Sequence, residues 1–214
     1  MARINKGILG PITGTLANIT GYERLGTPCI RINGERQKQN FTDKQLAHQL
    51  RVRLANSFIN PSKNFINIGF SLSRSGGQTA HNVAMSQALK TGIKGEYPDL
   101  ELDYEHMLVA DGLLPGARNP NATPLEGNRL QFTWEYDQMQ EFSIRRDQVL
   151  LLAYSTATRA CFYTIGGAPR YSKQAILEVY PEIEKESFET YMAFITEDRK
   201  AVSRSTYTGN KILL

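Results

Sequence analysis

Apolar side chains fall at four-residue intervals at Leu46, Leu50, Leu54 and Phe58, which makes one stripe along a helix. Thr42-Asp43-Lys44-Gln45 supplies a capping box at its start, with Thr42 as N-cap and Gln45 reaching back to it. Pro61 ends that helix or begins a new one, and Pro61 to Phe65 suits a short helical turn with the proline at N1. A further helix is expected from Thr79, with Ala80, Ala84 and Ala88 on a strip small enough for close packing. Beyond residue 95 the period shortens. Strand-like runs separated by turn signals occupy 100–109, 129–135, 148–154, 160–165, 175–179, 189–195 and 201–207, a spacing that fits a β-sandwich. Leu130, Phe132 and Trp134 alternate as on a half-buried strand. Val149-Leu150-Leu151-Leu152-Ala153 is continuously apolar and reads as a central strand covered on both faces. Tyr191, Ala193 and Ile195 fall on one face of a later strand, with Met192 and Phe194 on the other.

Residues 1–40 follow neither period. Gly7, Gly10, Gly14, Gly21, Gly26 and Gly34 punctuate the short apolar pieces Ile8-Leu9, Leu16, Ile19 and Tyr22. Cys29-Ile30-Arg31-Ile32 followed by Asn33-Gly34 predicts a strand running into a tight hairpin turn. Glycine weakens an isolated strand, so this stretch needs a surface to lie against, in its own domain or in a neighbouring copy. A loop-rich lid over the core is the other reading. The expected fold class is α+β. Residues 1–94 hold a Gly-rich N-terminal β arm and a small helical segment, and 95–214 form an antiparallel β-sandwich.

Composition narrows the classes. At 214 residues and 41% hydrophobic, the chain is ordinary globular material, long enough to bury a core without staples. Two cysteines, Cys29 and Cys161, leave no disulfide framework and no four-cysteine metal site. The start lacks a continuous apolar stretch, so no signal peptide is expected, and no run is long enough for a membrane span. A cytoplasmic setting, or a particle assembled there, is the expectation. Charge is uneven. Residues 1–94 carry thirteen Lys or Arg against three acids, a net +10, and residues 95–214 carry twelve against eighteen, a net −6. That asymmetry suits a polyanion partner, head-to-tail contact between copies, or simply a match within one chain.

Candidate chemistry is sparse. Asp99, Glu101, Asp103 and Glu105 alternate with Leu100, Leu102, Tyr104 and His106, which on a strand gives an acidic row opposite an inward His106. Same-face residues on a strand are about 6.5–7 Å apart, too far to wrap one cation, so the row reads as a solvated or partner-facing strand. His48 and His81 read as helix-surface residues. No G-x-S-x-G elbow and no Walker or Rossmann glycine pattern occurs, and no cofactor is implied. Arg31, Arg36, Lys38, Lys44, Arg51 and Arg53 make a basic set, but only Phe41 is interleaved, which is poor material for stacking bases.

Two resemblances follow from particular residues. Trp134 in an early strand, Tyr191 in a late strand after Pro181, and a last strand ending near Tyr207 make residues 130–207 similar to a fibronectin type III-like sandwich. The whole chain resembles a bacterial, paralogous family catalogued only as a domain of unknown function. The shared pieces are Gly7-Ile8-Leu9-Gly10, Thr42-x-x-Gln45-Leu46, Tyr97-Pro98-Asp99-Leu100, Asp103-Tyr104, Leu114-Pro115-Gly116-Ala117, Glu189-Thr190-Tyr191-Met192-Ala193-Phe194-Ile195 and Ser205-x-Tyr207. That resemblance implies a fold and no catalytic residues.

The functional expectation is a non-enzymatic structural protein that forms a homo-oligomer or filament. Ile8, Leu9, Ile12, Leu16 and Ile19 would form the assembly arm, and Glu101, Asp103 and Glu105 the acidic face it meets. The rival expectation is a polyanion- or nucleic-acid-binding module built on the basic set.

Overall fold

The computed structural model describes residues 3–4, 10–34, 40–74, 77–137, 144–183 and 185–213. The chain divides into two compact units, Met1–Thr42 and Asp43–Leu214. The break falls at 42/43 rather than 94/95, because the helices share a core with the strands that follow them.

The first unit is an antiparallel meander of β1 (Arg3–Ile4), β2 (Ile12–Leu16), β3 (Ile19–Arg24) and β4 (Thr27–Ile32), in that spatial order. Tight turns at Ala17-Asn18 and Leu25-Gly26 join the last three. Leu25 and Gly26 both sit at positive φ, 50° and 81°, the geometry that matches strand twist in a two-residue hairpin. The residues that would follow the turn expected at Asn33-Gly34 lie outside the described ones. Asn33 closes the end of the meander: its N–H donates to the Asn18 carbonyl at 2.7 Å, and its side-chain oxygen accepts from the Thr20 hydroxyl at 2.8 Å.

The second unit begins with α1 (Asp43–Ile59), α2 (Lys63–Gly69) and α3 (Ala80–Thr91). The Thr79 side chain caps α3 by accepting from the Asn82 N–H at 3.2 Å. A two-residue ladder pairs β5 (Ile93–Lys94) with β6 (Glu101–Leu102). Seven longer strands follow: β7 (Arg118–Leu125), β8 (Arg129–Glu135), β9 (Gln148–Ser155), β10 (Cys161–Pro169), β11 (Gln174–Glu178), β12 (Ser187–Ile195) and β13 (Thr206–Ile212). They form two antiparallel sheets, β10-β9-β12-β13 and β11-β8-β7. The fold is therefore α+β with antiparallel sheets.

Two cores flank the four-stranded sheet. Leu150, Leu152, Tyr154, Tyr191, Ala193 and Ile195 face the helices, where Phe58, Phe65, Phe70 and the Ala80-Ala84-Ala88 strip meet them. Val149, Leu151, Ala153, Phe188, Met192 and Phe194 face the three-stranded sheet and its Leu130, Phe132 and Trp134. This is why the 149–153 run is apolar without interruption: β9 lies between β10 and β12 and is covered on both sides. The Trp134 and Phe194 rings stand edge to face, 5.5 Å apart, across the second core.

Three expectations change. The run 100–109 is not a strand; only Glu101–Leu102 pairs, and the chain turns at 104–106. Tyr104 is drawn into an aromatic cluster, its ring 6.2 Å from Phe58 and 6.0 Å from Tyr154, while its carbonyl accepts from the Tyr191 hydroxyl at 2.7 Å. β7 was not anticipated. It contains Pro120 and Pro124, which an edge strand tolerates because one side of its backbone makes no ladder. The last strand runs Thr206–Ile212 rather than 201–207, with Val202 and Ser203 contributing only isolated bridges. No helix among the described residues is long and apolar enough to cross a membrane.

Candidate functional site

Strand register gives the N-terminal sheet two unlike faces. Leu16 pairs with Ile19, Ile19 with Ile32, and Gly21 with Ile30, so these aliphatic positions share one side. Thr15, Thr20, Tyr22, Arg24, Thr27, Cys29 and Arg31 take the other. On that polar side the Thr15 and Thr20 hydroxyls lie 3.0 Å apart, and the Arg31 guanidinium lies 5.9 Å from the Tyr22 ring centroid.

Outside the point where Ile12 crosses Gly21, the aliphatic side is exposed. Leu16 is 63% exposed, Ile19 38%, Ile30 63% and Ile32 74%, and Ile12 is half-buried. None of the described residues of Met1–Thr42 belongs to either hydrophobic core. Burying one such side chain fully stabilises by roughly 1.5–3 kcal/mol, so the face carries a large uncollected driving force. A few-stranded sheet without a covered face is marginal in water. Gly21 is the one buried position described in the unit. The backbone of Ile12 crosses over it, placing the Ile12 carbonyl oxygen 2.1 Å from where a Cβ at 21 would stand. Among the described residues nothing pairs with the outer edge of β4, so its backbone donors and acceptors are open to another strand.

Of the expected arm, Ile12, Leu16 and Ile19 thus lie in this unit, and Ile8 and Leu9 lie outside the described residues. Ile30 and Ile32 join the arm's apolar side and were not singled out from sequence, because only the pairing register shows which side they share.

The described charged candidates divide between the two units. Arg36 and Lys38 lie outside the described residues. Arg31 belongs to the first unit, while Lys44, Arg51 and Arg53 are on α1 of the second. On α1, Lys44 and Arg51 are seven residues apart and share a side, with Arg53 on the opposite one. The acidic row breaks with its strand: Glu101 and Glu105 are exposed, whereas Asp103 is half-buried and bonds His106 Nδ1 at 2.9 Å. His106 does not face inward; its side chain is 64% exposed.

Buried ionisable groups hold the second unit together. Glu186 accepts from the hydroxyls of Ser155 and Thr158 and from the Glu182 N–H. Burial opposes its charge, but those hydrogen bonds prevail and hold it below the usual carboxylate range. Glu189 accepts from Tyr207 at 2.5 Å and from Asn210 at 2.8 Å. Arg170 is 1% exposed and spans the Pro115 and Gly116 carbonyls at 2.6 and 2.9 Å and Asp147 at 3.4 Å. Burial pushes Asp147 above its ordinary range against the pull of Arg170. The Cys161 thiol is pushed up to about 12 by burial, which suppresses the nucleophilic thiolate. Each of these groups is tied into its own framework. Sequence gave a faint signal for Glu189, an acid in an otherwise apolar run, and none for Arg170 or Glu186. Among the described residues no group of three or more His, Cys, Asp or Glu is placed to hold a metal ion.

A family model matches residues 11–209, that of a family of unknown function (DUF6266). No curated protein and no solved structure matches.

Proposed function

We propose that this chain, which belongs to the DUF6266 family of unknown function, is a non-enzymatic structural subunit whose N-terminal sheet docks on a second copy. The observation that carries this reading is the exposed aliphatic side of that sheet, formed by Leu16, Ile19, Ile30 and Ile32. Burial of that side supplies the drive. Strand addition along β4 supplies backbone hydrogen bonds, and the docking unit, residues 1–42, brings six Lys or Arg against two acids toward the net −6 of residues 95–214, which favours head-to-tail polarity. Repetition of such a contact gives an oligomer, or a filament if the rotation does not close.

The packed sheets of the second unit are read as a fibronectin type III-like sandwich. Supporting this, strands β7, β8 and β11 form one sheet, and β9, β10, β12 and β13 the other. The rival reading, polyanion binding through Arg31, Arg36, Lys38, Lys44, Arg51 and Arg53, has weaker support, because on α1 Arg53 lies on the side opposite Lys44 and Arg51.

Light scattering on the full chain and on an Ile30→Thr/Ile32→Thr variant tests the proposal. The expected result is a mass above one chain that falls toward the monomer in the variant. A monomeric full chain at high micromolar concentration, or an unchanged mass in the variant, would overturn it.

A further inference from the structure

A depression of about 440 Å³ in the second unit is lined by Tyr136, Arg145, Arg146, Tyr171 and Lys173. Three of these side chains are cations and two are phenols, and no carboxylate is among the described lining residues. The cations come from two segments that backbone hydrogen bonds clamp together. The Arg170 N–H donates to the Asp147 carbonyl at 2.7 Å, and the Tyr171 N–H donates to the Arg145 carbonyl at 3.3 Å. The Trp134 N–H donates to the Lys173 carbonyl at 3.1 Å, and its indole N–H donates to the Arg170 carbonyl at 2.7 Å. The walls are thus fixed to β8 and to the core below.

Arg170 stands apart from this set, because its guanidinium is turned inward to Pro115, Gly116 and Asp147. Arg146 meets Glu197 at 3.9 Å with both side chains about two-thirds exposed, a pair worth little in water. Lys173 makes no ion pair among the described residues. It is held at φ 59°, a left-handed conformation that costs a lysine energy and that persists only where surroundings impose it.

From this geometry we propose that the depression binds a small organic phosphate. Arg145 and Arg146 supply forked donors that match phosphate oxygens, and Lys173 supplies a compact point charge. Tyr171, which is exposed, provides a ring face and a hydroxyl for the organic portion. The volume lies within the range of small-molecule sites. The proposal stands apart from self-association, since every residue it uses lies in the second unit and none is on the N-terminal sheet.

Calorimetric titration of the full chain with pyrophosphate and, separately, with AMP tests this at low salt. Binding of AMP is expected, weakened about tenfold or more in Lys173→Gln and in Arg146→Gln and unchanged in the distant Lys94→Gln. Binding of pyrophosphate as tight as AMP assigns the affinity to the phosphate, and tighter AMP binding assigns part of it to Tyr171; both support the site. No heat with either ligand to millimolar concentration overturns it, as does equal affinity in the two pocket variants with unaltered melting. Preference for a single-stranded oligonucleotide over AMP, insensitive to both variants, also overturns it.

Discussion

The guanidinium carbon of Arg170 lies 3.8 Å from the ring centroid of Phe194, so a charged side chain forms part of the floor of an otherwise apolar core. Its charge is matched by two carbonyls, one carboxylate and an aromatic face. Replacing Arg170 by Ala leaves Asp147 buried without its cation. The expected loss is about 3–5 kcal/mol by urea denaturation. Asp147 already titrates above its ordinary range, because burial outweighs Arg170, and removing the arginine raises it further. The deficit should therefore shrink as pH falls through that raised value and Asp147 becomes neutral. A deficit constant from pH 7 to pH 4 would contradict the pairing.

Glu186 has the opposite sign. Its folded-state value is lowered, so the stability it contributes is present above the unfolded carboxylate range and is lost as pH falls through the folded value. Glu186→Gln should lower the melting temperature at pH 7, and the gap to the parent should close in acid. An equal gap at pH 7 and pH 3 would show that the hydrogen bonds from Ser155 and Thr158 do not depend on charge.

Gly21 tests the N-terminal sheet from within. A side chain there meets the Ile12 carbonyl, so Gly21→Val cannot keep that crossing. Hydrogen exchange should show β2, β3 and β4 losing protection while β9 and β12 keep theirs. Light scattering on the same variant should show loss of association. Retained protection in β3 would refute the crossing.

Much of the fold was legible where a period met a complete layer. The alternation of Leu130, Phe132 and Trp134 predicted β8 at the bounds observed, and the split of Tyr191, Ala193 and Ile195 from Met192 and Phe194 is the split between the two cores. β7 escaped notice because its prolines and polar residues have no period, and it is held by pairing with β8. The 100–109 run imitated a strand by alternating acids with apolar residues, but the contacts of Tyr104 decided its path. In the N-terminal sheet, β4 was readable and the turn before it was not, since leucine at 25 is a poor advertisement for positive φ.

Adjacent residues Leu150 and Leu151 look in opposite directions, one toward the helices and one toward the opposing sheet. Sliding β9 by a single position would exchange the linings of both compartments at once. The partition wall is thus keyed from either side, and an error tolerable in one room would still be rejected by the other.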